Sequence, residues 1–149
     1  MALNTARIGH RYPDTASYEV GREKIREFAT AIGDESPIYR DVDAARAAGH
    51  RDVPAPPTFA IVIAQPAARQ ASSDPEIGVD YSRVVHGEQR FEHHEPICAG
   101  DVLTARVEVT TIRPAGSNWM LTTRTDLVRM PDEVVVCTAT SSIIERGDD

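Results

Sequence analysis

Gly33-Asp34-Glu35-Ser36-Pro37-Ile38-Tyr39 sets a carboxylate and a phenol five positions apart in one short loop. Such a pair could hold or move a proton. An Asp just after a helix-ending Gly also closes local turns through its own carboxylate, so Asp34 is either a pocket residue or a turn former. With a reference pKa of about 10, an unperturbed Tyr39 phenol is ionised in roughly one molecule in a thousand at neutral pH. Tyr39 is therefore expected to line or close a pocket, with Glu35 and Arg40 as surface charges. Thr58 follows Pro54, Pro56 and Pro57 and is a candidate N-cap; amides at a helix start there would face any polarised oxygen placed before it. His86 opens a polar segment in which alternation predicts one shared face for His86, Glu88, Arg90, Glu92 and His94. The adjacent His93 and His94 would then point to opposite faces, which excludes joint chelation of a metal ion. His10 and His50 read as loop residues.

The elements that must position these groups fall into two halves. Ile25, Phe28, Ala29 and Ile32 recur at helical spacing, with Gly33 where a left-handed cap belongs. Val42 to Gly49 reads as a shorter, alanine-rich helix, again closed by Gly. Thr58 to Ala64 is apolar on every side, so it must be enclosed, and Pro66 predicts a kink or an early end near Gln65. Residues 71 to 80 read as a surface loop. From there the period changes. Leu103, Ala105, Val107 and Val109 alternate with Thr104, Arg106, Glu108 and Thr110, a half-buried strand. Further strands are expected over Val84 to His94, Trp119 to Val128 and Glu133 to Ile144, with turns at Pro114 to Asn118 and Pro131-Asp132. Helices first and strands afterwards predict an α+β fold, an antiparallel sheet packed on one face by helices.

The chain has 149 residues, 41% hydrophobic and 26% charged, which fits a single domain over 1–149. A net charge of -7 argues against nucleic acid as a partner. No apolar run approaches the roughly 18 residues of a membrane span, and the first ten residues lack the core of a signal peptide. The expectation is a cytoplasmic chain with no membrane partner. Cys98 and Cys137, without C-x-x-C spacing, are expected as thiols in a reducing compartment.

Three segments resemble a known family in the right order. Gly33 to Tyr39 is similar to the G-D-x-N-P-x-H signature of the MaoC-like (3R)-hydroxyacyl thioester hydratases and dehydratases. Ala55-Pro-Pro-Thr-Phe59 resembles the segment that opens their central helix. His86-Gly-Glu-Gln-Arg-Phe91, with Pro96 and Ala99-Gly-Asp101, resembles the first half of double-hotdog members. In particular the chain looks like the small actinobacterial proteins related to the HadA dehydratase subunit.

What the resemblance implies is a hotdog fold, an antiparallel sheet wrapped around a central helix, and an acyl-CoA or acyl-ACP thioester bound between two paired units. It implies a homodimer, or a heterodimer with a catalytic hotdog subunit, and no cofactor or metal. The polar strand from Val84 is the candidate pairing edge. It assigns Asp34 and Tyr39 to the catalytic positions and Pro57, Thr58, Phe59, His86 and Gly87 to substrate binding. Here Ser36 replaces the signature Asn and Tyr39 replaces its His. Hydration of an enoyl thioester needs a base for water, an acid for the α-carbon and donors at the carbonyl. The gap of about 3.5 pKa units between His and Tyr corresponds to roughly 5 kcal/mol. The expected function is therefore an acyl-binding dehydratase subunit whose partner supplies the base. The alternatives are a self-sufficient homodimeric hydratase or thioesterase, and a non-enzymatic acyl-thioester binding module.

Overall fold

Alternation builds the sheet, and four long strands follow one another almost without interruption in the second half of the chain. The structure, a computed structural model, describes residues 2–147. After a short strand β1 (Tyr18–Glu19) come helices α1 (Arg22–Ala31), α2 (Val42–Ala47) and α3 (Ile61–Ser72). Strands β2 (Val84–His93), β3 (Val102–Ala115), β4 (Asn118–Met130) and β5 (Val134–Glu145) complete the order. Every pairing is antiparallel, and the strands lie in the order β1-β3-β4-β5-β2.

The two edges of this sheet are treated differently. Beside β3 the N-terminal segment continues the ladder beyond β1: the amides of Gly9, Tyr12 and Thr15 donate to the carbonyls of Val109, Val107 and Ala105. On the other side β2 bonds β5 alone, so its outer edge has no strand neighbour among the described residues.

Helix α3 lies in the concave face against β3 and β4. Its buried side is Ile63, Ala64, Ala67 and Ala71, small residues that let the helix approach the sheet closely. Leu103, Ala105, Val107, Leu127, Cys137 and Ala139 form the floor beneath it. The strand expectation for β3 is met on its apolar face, where Leu103, Ala105, Val107 and Val109 are all buried; on the other face Arg106 and Thr110 are exposed, but Thr104 is buried as well. Both cysteines are buried free thiols. Burial pushes the Cys137 thiol up to about 11. No helix among the described residues is long and apolar enough to cross a membrane.

Two expectations are corrected around α3. Of the kink or early end expected at Pro66, the early end is not found, since the helix runs on to Ser72. The proline is exposed while its neighbour Ala67 is buried, so its ring meets solvent and the continuing apolar face holds the turn in place. Ala71 and Ser72 consequently belong to the helix rather than to a loop. Ile77, in what the sequence suggested was surface loop, is fully buried with Leu3, Ala71 and Leu121.

Candidate active-site loop and ligand groove

Helix α1 delivers the Gly33 to Tyr39 loop. Ile25 and Ala29 anchor the helix in the core, and Gly33 takes the left-handed conformation (φ 73°) that ends it. Ile32, expected on the apolar face, is instead 48% exposed, because it stands at the cap where the chain turns away. Asp34 Oδ1 then accepts the Ser36 amide at 2.9 Å, the local turn that an Asp in this position favours. Pro37 to Tyr39 forms a single 3-10 turn. Arg40 is not a surface charge: its guanidinium donates to the Asp34 carbonyl at 2.7 Å and the Thr30 hydroxyl at 3.0 Å, while its own carbonyl accepts from Arg26. The loop is thereby clamped to α1.

Tyr39 emerges half-buried at one wall of a cleft of about 410 Å3. His50, Pro54 to Pro57, His93, His94 and Ile97 supply most of the rest. Burial, and then the negative charge of Asp34, raise the phenol above its ordinary pKa. No cationic partner opposes them in that balance. Among the described residues no group of three or more His, Cys, Asp or Glu side chains could hold a metal ion.

Pro54 to Pro57 form the far wall. Thr58 is not the N-cap. The helix starts three residues later, after a turn in which the Phe59 and Ile61 amides donate to the carbonyls of Pro56 and Thr58. Proline-rich approach residues allow this tight entry, and Ala60 takes the cap position with no side-chain bond. Of the predicted binding residues here only Pro57 lines the cleft; Thr58 is exposed but does not line it, and Phe59 is fully buried and packs edge-on against Phe28 at 5.5 Å. The Pro57 carbonyl lies 2.7 Å from His93 Nε2. A carbonyl only accepts, so that nitrogen carries the proton.

His86 and Gly87 are elsewhere. A bulge interrupts the β2–β5 register between His86 and Glu88, so two-residue alternation does not carry across it. A Cβ at Gly87 would stand 3.1 Å from Ile144 Cγ1 and 3.3 Å from the Ser142 carbonyl, which is why a glycine sits there. Beyond the bulge the helix-facing residues are Gln89, Phe91 and His93, paired with Ser141, Ala139 and Cys137. His86 also faces the helix, with Nε2 3.1 Å from Ser141 Oγ, and therefore does not share a face with Glu88, Arg90 and Glu92. Its distance from His93 along the strand is roughly 20 Å. The predicted site residues thus divide between the two ends of β2. His50 and His93, which sequence reasoning left out of the site, stand beside Tyr39 instead.

The loop at the end of β2 closes this end of the molecule. Asp101 is 3% exposed, and its carboxylate accepts from Arg51 at 2.7 Å and from the Cys98 amide at 3.0 Å. The Ala99-Gly-Asp101 segment is thus a latch between the Arg51 turn and the start of β3.

A sheet curled around one buried helix, with an Asp-containing loop over the helix start, defines a MaoC-like hotdog unit of the hydratase and dehydratase class. The chain belongs to the family described as FAS1-like, dehydratase domain region, whose profile matches residues 6–138. It is 52% identical over 147 residues to a UPF0336 protein of Saccharopolyspora erythraea, covering 99% of this chain and 94% of that one. A UPF0336 protein of Streptomyces coelicolor is 49% identical, with 99% and 97% covered. Among solved structures, a MaoC-like dehydratase superposes with a TM-score of 0.87 at 34% identity, covering 97% of this chain but only 43% of that longer one. The C-terminally truncated HadBC (3R-hydroxyacyl-ACP dehydratase) complex of Mycobacterium tuberculosis gives a TM-score of 0.84 at 29% identity, with 95% and 99% covered.

Proposed function

We propose that this chain is a hotdog subunit of a (3R)-hydroxyacyl thioester dehydratase that binds and shields the acyl chain while a paired subunit supplies the catalytic base. The observation that carries the reading is the state of Tyr39. A phenol raised by burial and by the Asp34 carboxylate keeps its proton at neutral pH, so it cannot drive water onto an alkene. Asp34 meanwhile holds the Ser36 amide and shapes the loop.

The rest of the unit suits the binding half of the task. Pro56 and Pro57 border the cleft where a thioester head would sit, and Phe59 holds the following turn from the core side. The unpartnered edge of β2 suits pairing with a second hotdog sheet, as does the likeness to one subunit of a heteromeric dehydratase. Pairing there would place His86 and Gly87 against the partner. The chain's 43% share of a longer MaoC-like dehydratase fits a unit that is one half of a working pair.

The test mixes the purified chain with hotdog subunits that carry the complete Asp and His signature, and follows hydration of crotonyl-CoA and longer enoyl thioesters. Complex formation with increased or chain-length-shifted hydration supports the reading. Absence of both a complex and any gain in hydration contradicts it.

A second reading, a self-sufficient hydratase, is favoured by one observation: His50 and His93 stand at the same cleft as Tyr39. It requires turnover by the pure chain that His93→Gln abolishes.

A further inference from the structure

The helix-facing side of the sheet does not stay apolar along the strands. At the Tyr39 end the helix-facing rung of the sheet is Ala105, Leu127 and Cys137, followed by Val107, Thr125, Ala139 and Phe91. One rung further, Thr123, Ser141 and Gln89 are register partners across β4, β5 and β2. Directly opposed strand residues share a face, so a hydroxyl, a second hydroxyl and an amide form one polar line across three strands. Thr123 is only 5% exposed. Gln89 Oε1 is buried with no hydrogen-bond partner, and buried polar atoms are ordinarily paired. His86 Nε2 contacts Ser141 Oγ at the same level. Above this line, Gln65 and Arg69 of α3 enclose a cleft of about 140 Å3 floored by Leu121 and Ile143.

Resting on the acyl-binding reading above, we propose that this cleft is the distal end of the ligand groove and that it selects acyl chains bearing an oxygen function, a hydroxyl or a carbonyl, near their far end. Helix α3, which separates the two ends, has 12 residues and spans about 17 Å, so the selected group lies far from the thioester. A plain alkyl terminus would strip water from the Thr123 and Ser141 hydroxyls that line the cleft without replacing their hydrogen bonds. A ligand hydroxyl or carbonyl replaces them. Sites built to bond a ligand oxygen discriminate against the analogue that lacks it.

Calorimetry on the purified protein, with decanoyl-, dodecanoyl- and tetradecanoyl-CoA and the ω-hydroxy analogue of each, reads this directly. The expected result is that at the best-matched length the hydroxylated ligand binds about tenfold more tightly. In the Thr123→Val, Ser141→Ala double variant that preference disappears and the plain chain gains. These two changes keep side-chain volume close to that of the native residues, and an unchanged dodecanoyl-CoA stoichiometry checks that the variant is folded. Equal or tighter binding of the plain chains by the unaltered protein overturns this proposal and leaves the acyl-binding reading standing. No binding of any acyl-CoA overturns both.

Discussion

The carboxylate of Asp34 acts on the phenol of Tyr39 as a negative charge, and together with burial it holds the hydrogen on the tyrosine oxygen. The same carboxylate is anchored by the Ser36 amide at 2.9 Å, so the loop's acid is positioned by its own backbone. Asp34→Asn keeps the acceptor oxygen and deletes the charge. The Tyr39 pKa should therefore fall in that variant, measured by phenol absorbance with Tyr39→Phe as the subtraction control. Stability should change by less than about 0.5 kcal/mol, because the turn is retained.

The Asp101 latch makes a stronger demand. Its buried carboxylate satisfies the Cys98 amide and pairs with Arg51, and Asp101→Ala leaves that buried amide without an acceptor. Denaturant unfolding should show a loss of about 2–3 kcal/mol. A loss below about 0.5 kcal/mol would mean that the segment is held by its backbone bonds alone.

Asp52 supplies a pH signature. Its bidentate bond from Arg22 comes first among the causes that lower its carboxyl to about 2. A depressed carboxyl contributes stability that is present above its unfolded pKa of about 4 and is lost as pH falls towards 2. Arg22 is 47% exposed, so solvent screening limits the effect to about 1 kcal/mol. The stability difference between the native chain and Asp52→Asn should be constant above about pH 5 and shrink below about pH 4. A difference that does not vary with pH would rule out the pair as its source.

Pro66 gives a prediction of opposite sign. Its missing amide leaves one bond of α3 unmade on the solvent side. Pro66→Ala should raise stability by about 1–2 kcal/mol, less than the full helix propensity difference because the unfolded chain also gains freedom. A decrease would show that the ring is packed rather than tolerated.

These relationships mark where the sequence could be read and where it could not. The periodicity of Ile25, Phe28 and Ala29 and the alternation of Leu103 to Val109 made α1 and β3 legible, because a single burial face imposes a single period. The hotdog arrangement followed from three short segments in order. Pro66 misled because local propensity ignores the apolar face that carries α3 past it. Gly87 concealed a bulge, and one extra residue was enough to detach His86 from Glu88 and bring His93 to the Tyr39 cleft. The N-terminal segment's ladder along β3 has no alternating pattern to announce it, since its backbone does the bonding. Arg40's clamp on Asp34 depends on a carbonyl direction that no spacing reveals.

On the proposed reading Tyr39 is not a working base. Hydration of crotonyl-CoA by the pure chain, compared with Tyr39→Phe and Tyr39→His across neutral pH, tests it most directly. The native chain and Tyr39→Phe should show no difference, and Tyr39→His should gain about 100-fold, because an imidazole then stands beside Asp34. Brisk hydration by the native chain that vanishes in Tyr39→Phe would contradict it.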